Sequence, residues 1–260
     1  MRRNHEKAGS SIGPKDVWVT LPGPVVRASC VRRSKRFVVT ADTSFGRVNA
    51  FLAHTGRLQE LVYPGARIAL TRPPRPGYRP NPYEVLAAWQ GNVEVVVDTR
   101  LPNKLIHRAL NLGVMDRLPS YSAVRPEVQL GGSRIDFALI GKSGTTYLEV
   151  KSCSLAKNGV SLFPDAPSKR GNRHLEALAN AVKAGDQGIL LFLATRSDVH
   201  SFRPNGVVDP IFARSLGEAS HQGVGVRAYS SFVRGARYCL GKELEVCLGP
   251  PDSPPINPSA

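Results

Sequence analysis

From Val25 to Asp98 the apolar residues fall in short runs with no helical period. Val25–Arg32, Phe37–Asp42, Val48–Ala53, Ala66–Leu70, Glu84–Trp89 and Val93–Asp98 are rich in Val, Ile, Leu and Phe, with Gly, Pro, Ser or Asn between them. Five or six short strands in about 75 residues predict a small barrel or sandwich, of which an OB-like β-barrel is the natural form.

Beyond Asp98 the pattern changes. Leu101-Pro102-Asn103 offers a helix N-cap, and Leu105, Ile106, Ala109, Leu110 and Leu112 follow at helical spacing up to Gly113. Three strand-like runs come next, Glu127–Leu130, Arg134–Ile140 and Thr145–Cys153, joined by Gly131-Gly132-Ser133 and Gly141-Lys142-Ser143-Gly144. Ser168–Ala184 reads as a helix stopped by Gly185, and the continuous apolar run Gly188–Ala194 as a strand buried on both faces. A right-handed crossover would set that strand parallel to the third of the preceding three. The expected fold is mixed α/β in two domains: an OB-like barrel over 17–100 and an α/β domain with a mixed sheet over 101–248. A basic extension (1–16) and a Pro-rich tail (249–260) are expected to be disordered.

Charge adds a partner to this picture. The 260 residues carry 35 Lys+Arg against 20 Asp+Glu, a formal net charge of +15. Residues 1–124 hold 19 basic and 8 acidic side chains (+11), and the remainder 16 and 12 (+4). One cluster is Arg32-Arg33-Ser34-Lys35-Arg36. The other is Arg67, Arg72, Arg75 and Arg79, broken into a loop by Pro73, Pro74, Pro76, Pro80 and Pro82 and flanked by Tyr78 and Tyr83. Rings among cations are what single-strand binders use, and a solvated basic loop is the plainer reading; an excess of this size in one half favours nucleic acid. Composition excludes an acidic disordered chain, a collagen-like repeat and a disulfide-framed mini-protein. Cys30, Cys153, Cys239 and Cys247 show no metal-ligand spacing and read as reduced. The basic N-terminus is not followed by an apolar stretch, and the longest apolar run, Ile189 to Ala194, falls far short of the roughly 20 residues that span a bilayer. The expected setting is cytoplasmic, nucleoid association included, with no membrane partner.

The chemistry gathers on the three strands. If Ile140 faces Thr145 across the loop at 141–144, Asp136 falls opposite Glu149, with Cβ atoms about 4.5–5.5 Å apart. Lys151, two residues on, shares that face. A tight Gly131-Gly132 turn would bring Glu127 opposite Asp136 as well. Two or three carboxylates beside one lysine suit a magnesium-dependent phosphodiesterase, in which oxygen ligands hold a hard cation that keeps several waters. The alternative is an exposed cross-strand charge cluster worth a few tenths of a kcal/mol. Against it, Leu148 and Val150 put the opposite face in a core, and two opposed carboxylates repel unless a cation is present. Arg170 and His174, four apart at the N-terminal end of a helix, could steer a phosphate or move a proton, or the helix face simply packs while Asp165 caps a turn. His54, beside Gly56, reads equally as a hydrogen-bonded loop histidine.

Arg134-Ile-Asp-Phe, Leu148-Glu-Val-Lys, Phe163-Pro-Asp-Ala and Arg170-Gly-x-x-His174-Leu resemble signature blocks of the sugar fermentation stimulation protein (SfsA) family. Arg33-x-Lys35-Arg36-Phe37, His54-Thr-Gly-Arg-Leu58 with Pro64-Gly65, and Asp98-Thr-Arg-Leu-Pro-Asn103 match in the same order. The resemblance runs from about Val17 to Val246. It implies a nucleic-acid-binding OB-like domain and a C-terminal domain like the PD-(D/E)XK nucleases, with Asp136 as motif acid and Glu149 and Lys151 as the E-x-K element. Ile135 stands where the superfamily name has Pro, which leaves the carboxylate in place. The implied reading is a DNA-binding protein with a nuclease-type site. Its catalytic set is Asp136, Glu149, Lys151, Glu127 and His174, and its metal ligands are Asp136 and Glu149 for Mg2+ or Mn2+, with no organic cofactor. Nucleic acid would meet Arg32, Arg33, Lys35, Arg36, Arg72, Arg75, Arg79 and Arg170. Two alternatives stay open: a non-catalytic DNA-binding regulator of sugar-utilisation genes, as the family is usually described, and an RNA-binding module. No helix-turn-helix pattern is present, which argues against base-specific readout. Strandedness and oligomeric state, a homodimer included, are left open.

Overall fold

The computed structural model describes residues 17–72 and 81–249. The expectations placed on residues 1–16, on Arg75, Tyr78 and Arg79, and on residues 250–260 lie outside the described residues. In chain order the elements are β1 Trp18–Thr20, β2 Val25–Ser34, β3 Val38–Thr43, β4 Gly46–Phe51, β5 Arg67–Thr71, β6 Tyr83–Gln90, β7 Val93–Val96, α1 Arg100–Leu112, β8 Ala123–Leu130, β9 Ser133–Gly141 and β10 Gly144–Cys153. They continue as β11 Ala156–Lys157, β12 Val160–Phe163, α2 Lys169–Lys183, β13 Gln187–Ala194, β14 Ser201–Pro204, α3 Pro210–His221, β15 Gly225–Arg234, β16 Arg237–Glu243 and β17 Glu245–Val246.

The apolar runs of the first half become the barrel. Its sheet runs β4-β3-β2-β5-β6-β7 and closes through a parallel β4–β6 pairing. Closure removes the exposed edges that short strands would otherwise present. A register shift between Cys30 and Arg32 lets the ten-residue β2 bend between two neighbours. Val39, Ala41, Leu52, Ile68, Leu70 and Val85 fill the interior.

The second sheet is mixed, in the order β1-β16-β15-β13-β10-β9-β8. β13 runs parallel to β10, Leu148 opposite Ile189 and Lys151 opposite Phe192, as the crossover argument expects. From Gly188 to Ala194 β13 is buried throughout, because α1 packs on one face of the sheet while α2 and α3 pack on the other. A small four-stranded sheet, β11-β12-β14-β17, lies beside it. Trp18–Thr20 does not begin the barrel domain. It pairs antiparallel with β16 at the edge of the large sheet, so the described residues run from that sheet into the barrel and back.

The junction is tied at several points. Val96 N donates to Thr195 O at 2.9 Å, and Arg196 Nη1 donates to Gln90 Oε1 at 2.8 Å. Buried Asp98 and Glu84 share the Arg100 guanidinium. That shared ion pair fastens β6 to the start of α1 and holds the arginine's proton more firmly than usual. α1 begins earlier than the Asn103 cap expected from the sequence: Thr99 precedes it, Pro102 sits in the first turn, where no N–H is missed, and Gly113 ends it in the left-handed region.

Candidate functional site

Asp136 and Glu149 meet as the hairpin arithmetic predicts. β9 and β10 pair with Thr145 opposite Ile140 and Leu148 opposite Phe137; beyond that pair the ladder gives way to side-chain bonds. Glu149 Oε2 accepts from Asp136 N at 3.2 Å, and Asp136 Oδ2 accepts from Val150 N at 2.8 Å. Each carboxylate therefore caps the other strand's backbone, which aims both at one spot. Lys151 Nζ donates to Glu149 Oε1 at 2.6 Å, and Asn103 Nδ2 donates to Asp136 Oδ1 at 2.7 Å. Asn103, whose place before the apolar helical run suggests only a cap, is a site residue. Its partner lies 33 positions away, and only the block Asp98–Asn103 hinted at a role beyond capping.

The two carboxylates have opposite electrostatics. Burial, joined by the negative charge of Glu149, pushes Asp136 up to about 6. Burial also raises Glu149, but bonds from His174 and Lys151 outweigh it, and the group sits below the ordinary glutamate range. The one ammonium bonds Glu149, while among the described residues Asp136 accepts only from the neutral amides of Asn103 and Val150.

His174 is buried on α2, with Nδ1 bonded to Glu149 Oε1 and Nε2 accepting from Arg170 Nε at 3.3 Å. With both ring nitrogens engaged, it is held against Glu149 and Arg170 rather than facing open space. Ser168 caps this helix by accepting from Gly171 N at 3.0 Å. Glu127 is not brought in. Its position across from Asp136 is the one sequence arithmetic gives, since Pro126 pairs with Phe137 and Val128 with Ile135. But its φ of 53° breaks the ladder at that residue, and the side chain stands 69% exposed, 3.9 Å from Arg134.

A cavity of about 490 Å3 opens at the junction of the two domains, with Asp136, Glu149 and Lys151 in its wall. The barrel contributes Arg36 and His54, and the start of α2 contributes Lys169 and Arg170. His54 is a hydrogen-bonded loop histidine, its Nδ1 accepting from Gly56 N at 2.9 Å, and burial keeps its pKa below the ordinary range. Arg33 and Arg36 are not free for a partner over their whole length. Arg33 Nη2 donates to Gly56 O at 3.0 Å and Arg36 O at 2.9 Å, while Arg36 Nε donates to Thr55 O at 3.1 Å. Both guanidinium groups pin the loop that carries His54, an engagement that a charge count does not disclose. Arg32, Lys35, Arg72 and Arg170 are exposed.

Asp165 lies against this loop, with Oδ2 buried and unbonded among the described residues. A Cβ at Gly56 would stand 2.0 Å from that oxygen. Gly56→Ala is therefore expected to cost about 1–3 kcal/mol of stability, measured by chemical denaturation. An unchanged midpoint would mean that Asp165 moves aside freely.

Among the described residues no group of three or more His, Cys, Asp and Glu is gathered for a metal. The converging donors are the carboxylates of Asp136 and Glu149. That fits a hard cation that keeps most of its water, since its charge would offset the burial and the repulsion by Glu149 that raise Asp136. All four cysteines are free and buried, and no described helix is long and apolar enough to cross a membrane.

Fold and site together define a two-domain protein, an OB barrel set against a mixed-sheet α/β domain with an acidic, lysine-bearing site at their junction. Two family models match in that order: the SfsA N-terminal OB domain over residues 31–97 and the sugar fermentation stimulation protein RE domain over residues 100–236. The chain belongs to the sugar fermentation stimulation protein (SfsA) family. A sugar fermentation stimulation protein homolog of Chloroflexus aurantiacus is 41% identical, with 90% of each chain covered. One of Moorella thermoacetica is 39% identical over 81% of this chain and 91% of its own. The solved structure of Pyrococcus furiosus SfsA, described in complex with Ca2+, superposes with a TM-score of 0.80 at 27% identity, covering 88% of this chain and 99% of that one.

Proposed function

We propose that this protein binds DNA and hydrolyses its phosphodiester bonds with a divalent cation, Mg2+ or Mn2+, held by Asp136 and Glu149. The observation that carries the reading is the convergence of these two carboxylates and Lys151 in the wall of a cavity whose rim bears Arg36, Lys169 and Arg170. The three residues correspond to the acid and the E-x-K element of PD-(D/E)XK nucleases. A bound cation would polarise the phosphoryl oxygen and make a coordinated water more acidic. The chain's own side chains do the rest. Asn103 and the Val150 amide hold the Asp136 carboxylate in position, while His174 and Lys151 hold Glu149 ionised. Lys151 brings positive charge to where a phosphate would add negative charge, and the exposed Arg170 and Lys169 at the start of α2 attract the backbone.

Two measurements test the proposal. Purified protein with single- and double-stranded DNA and Mg2+ or Mn2+ should give cleavage that substitution of Asp136 or Lys151 removes. Binding without cleavage on every substrate would leave the non-catalytic regulator. For binding itself, log affinity should fall with log salt by about 0.9 per phosphate contacted on B-DNA, and Lys169→Ala with Arg170→Ala should lower that slope by roughly two. An unchanged slope would remove the start of α2 from the interface.

A further inference from the structure

Between β14 and α3 the chain makes a short loop, residues 205–209, whose two ends are fixed and whose tip is apolar. Asn205 is buried; its N donates to Phe163 O at 2.7 Å, its Nδ2 donates to Pro164 O at 3.0 Å, and its carbonyl accepts from Val208 N and Asp209 N. Asp209 is buried as well. It caps α3 by accepting from Phe212 N at 2.9 Å, and its other carboxylate oxygen accepts from Ser168 N at 2.8 Å. Phe212 is packed in the core, its ring 5.2 Å from that of Phe163. Between the anchors Asn205 and Asp209, Val207 stands 96% exposed; just beyond them Ile211, in the first turn of α3, is 58% exposed. Phe163 and Ser168, to which the loop is tied, line the junction cavity.

A valine held in water by both ends of a short loop contributes nothing to the core. Rigid apolar tips of one or two side chains are what duplex-kinking proteins insert between base steps, since a yielding side chain would not part the stack. A stable protein interface asks for more, an apolar centre within roughly 20–30 residues a side. Here the apolar tip is two residues, tied to the strand of chain that carries the exposed cations Lys169 and Arg170. The site has a use for such a device. Glu149 is only 3% exposed, so its carboxylate lies below the rim of a cavity of about 490 Å3, which is too small for a duplex. A straight duplex would rest on the rim, whereas a kink beside the cavity turns a phosphate inward. We infer that Val207, supported by Ile211, inserts between base pairs of duplex DNA beside the cavity and bends the backbone toward the carboxylates. The inference rests on the nucleic-acid reading above and deepens it by naming an easily unstacked duplex as the substrate class. Charge complementarity favours this occupant, because Lys169 and Arg170 directly follow the Ser168 that Asp209 holds. So does continuity with the cavity wall through Phe163 and Ser168.

The test uses the full chain carrying Asp136→Asn, so that binding is read without cleavage. Affinity for a fully paired duplex, and for one of equal length with a single central mismatch, is measured by fluorescence anisotropy across a salt series. A mismatch is cheaper to unstack, so this parent should bind the mismatched duplex roughly tenfold more tightly. A 2-aminopurine beside the mismatch should brighten on binding, as a base does when it leaves the stack. Adding Val207→Ser should bring the preference within about twofold and remove the brightening, with the salt slope unchanged because no phosphate contact is lost. Val207→Leu keeps an apolar tip and should keep both signals, which guards against a loop that has merely rearranged in the serine variant. A preference that survives Val207→Ser with Ile211→Ser overturns the inference and is the result expected of a protein-docking tip. A parent with no preference, or a loss in Val207→Leu equal to that in Val207→Ser, overturns it too. If the parent binds neither duplex at low salt, the nucleic-acid reading itself fails, which is a different outcome from a wedge that proves silent.

Discussion

Asp136→Asn is expected to lower Mg2+-dependent cleavage of DNA by at least a hundredfold while the protein stays folded and still binds. The size follows from what the side chain does. Residues that merely orient a metal ligand cost about 10–100-fold when removed, and Asp136 is one of the two carboxylates that converge where β9 meets β10. The fold should tolerate the change because the amide keeps the carboxylate's shape. Its oxygen can still accept from the Val150 amide, and Asn103 can turn its own amide over to accept from the new NH2 group. Lys151→Ala should bring a comparable loss for a different reason: it removes the cation 2.6 Å from Glu149 and the charge that a phosphate would meet. Cleavage rates at saturating Mg2+, with binding measured in parallel, check both. Variants that keep more than a tenth of wild-type activity would move the chemistry away from this pair.

The same substitution should change stability in the opposite sense, and only at the right pH. In the metal-free fold Asp136 keeps its proton up to about pH 6, whereas an unfolded aspartate loses it near about 3.9. Between those values the folded state binds more protons than the unfolded one, so stability falls as pH rises through the window, by about 3 kcal/mol for this group. Glu149 has the opposite sign. Its lowered pKa gives stability above the ordinary glutamate range that is lost on acidification, and because it is present in both proteins it cancels to first order in the comparison. In chelator, Asp136→Asn should therefore gain on the wild type between pH 4 and 6 and hold that lead at pH 7. Adding Mg2+ at pH 7 should raise the wild-type melting temperature and close the gap, since a ligand that binds only the folded state stabilises it. Thermal denaturation across pH, with and without Mg2+, reads both effects. A stability gap that does not change with pH would mean that neither burial nor the charge of Glu149 raises Asp136.

Much of this site could be read from the chain because hairpins obey local arithmetic. A short loop at 141–144 and strict strand alternation were enough to set Asp136 against Glu149 and Lys151 beside it, and the paired strands follow that register up to Leu148 and Phe137. The same arithmetic was right for β8 and β9 and still misled about Glu127. Alternation assumes an unbroken ladder, and the positive φ at Glu127 turns its side chain out to solvent. Charge proved less transparent than register. Arg33 and Arg36 belong to a basic cluster by composition, yet their guanidinium groups are spent on the carbonyls of residues 55–57 and of Arg36 itself. Trp18–Thr20 is three residues long, too short for any period to show which sheet it joins.

By itself, then, the sequence determined the two-part architecture, the hairpin register and the identity of the acid–acid–lysine set, because periodicity, turn residues and nearest-neighbour pairing are local properties. The tertiary structure decided what surrounds that set: Asn103 from α1 on Asp136, His174 from α2 on Glu149, and Arg36 and His54 from the barrel across the cavity. Asn103 and His174 reach the pair because α1 and α2 pack on opposite faces of the large sheet, and Arg36 and His54 only because the barrel docks beside it. Their burial, and the electrostatic strain on Asp136 that follows from it, are properties of the packed molecule, which no stretch of the chain carries alone.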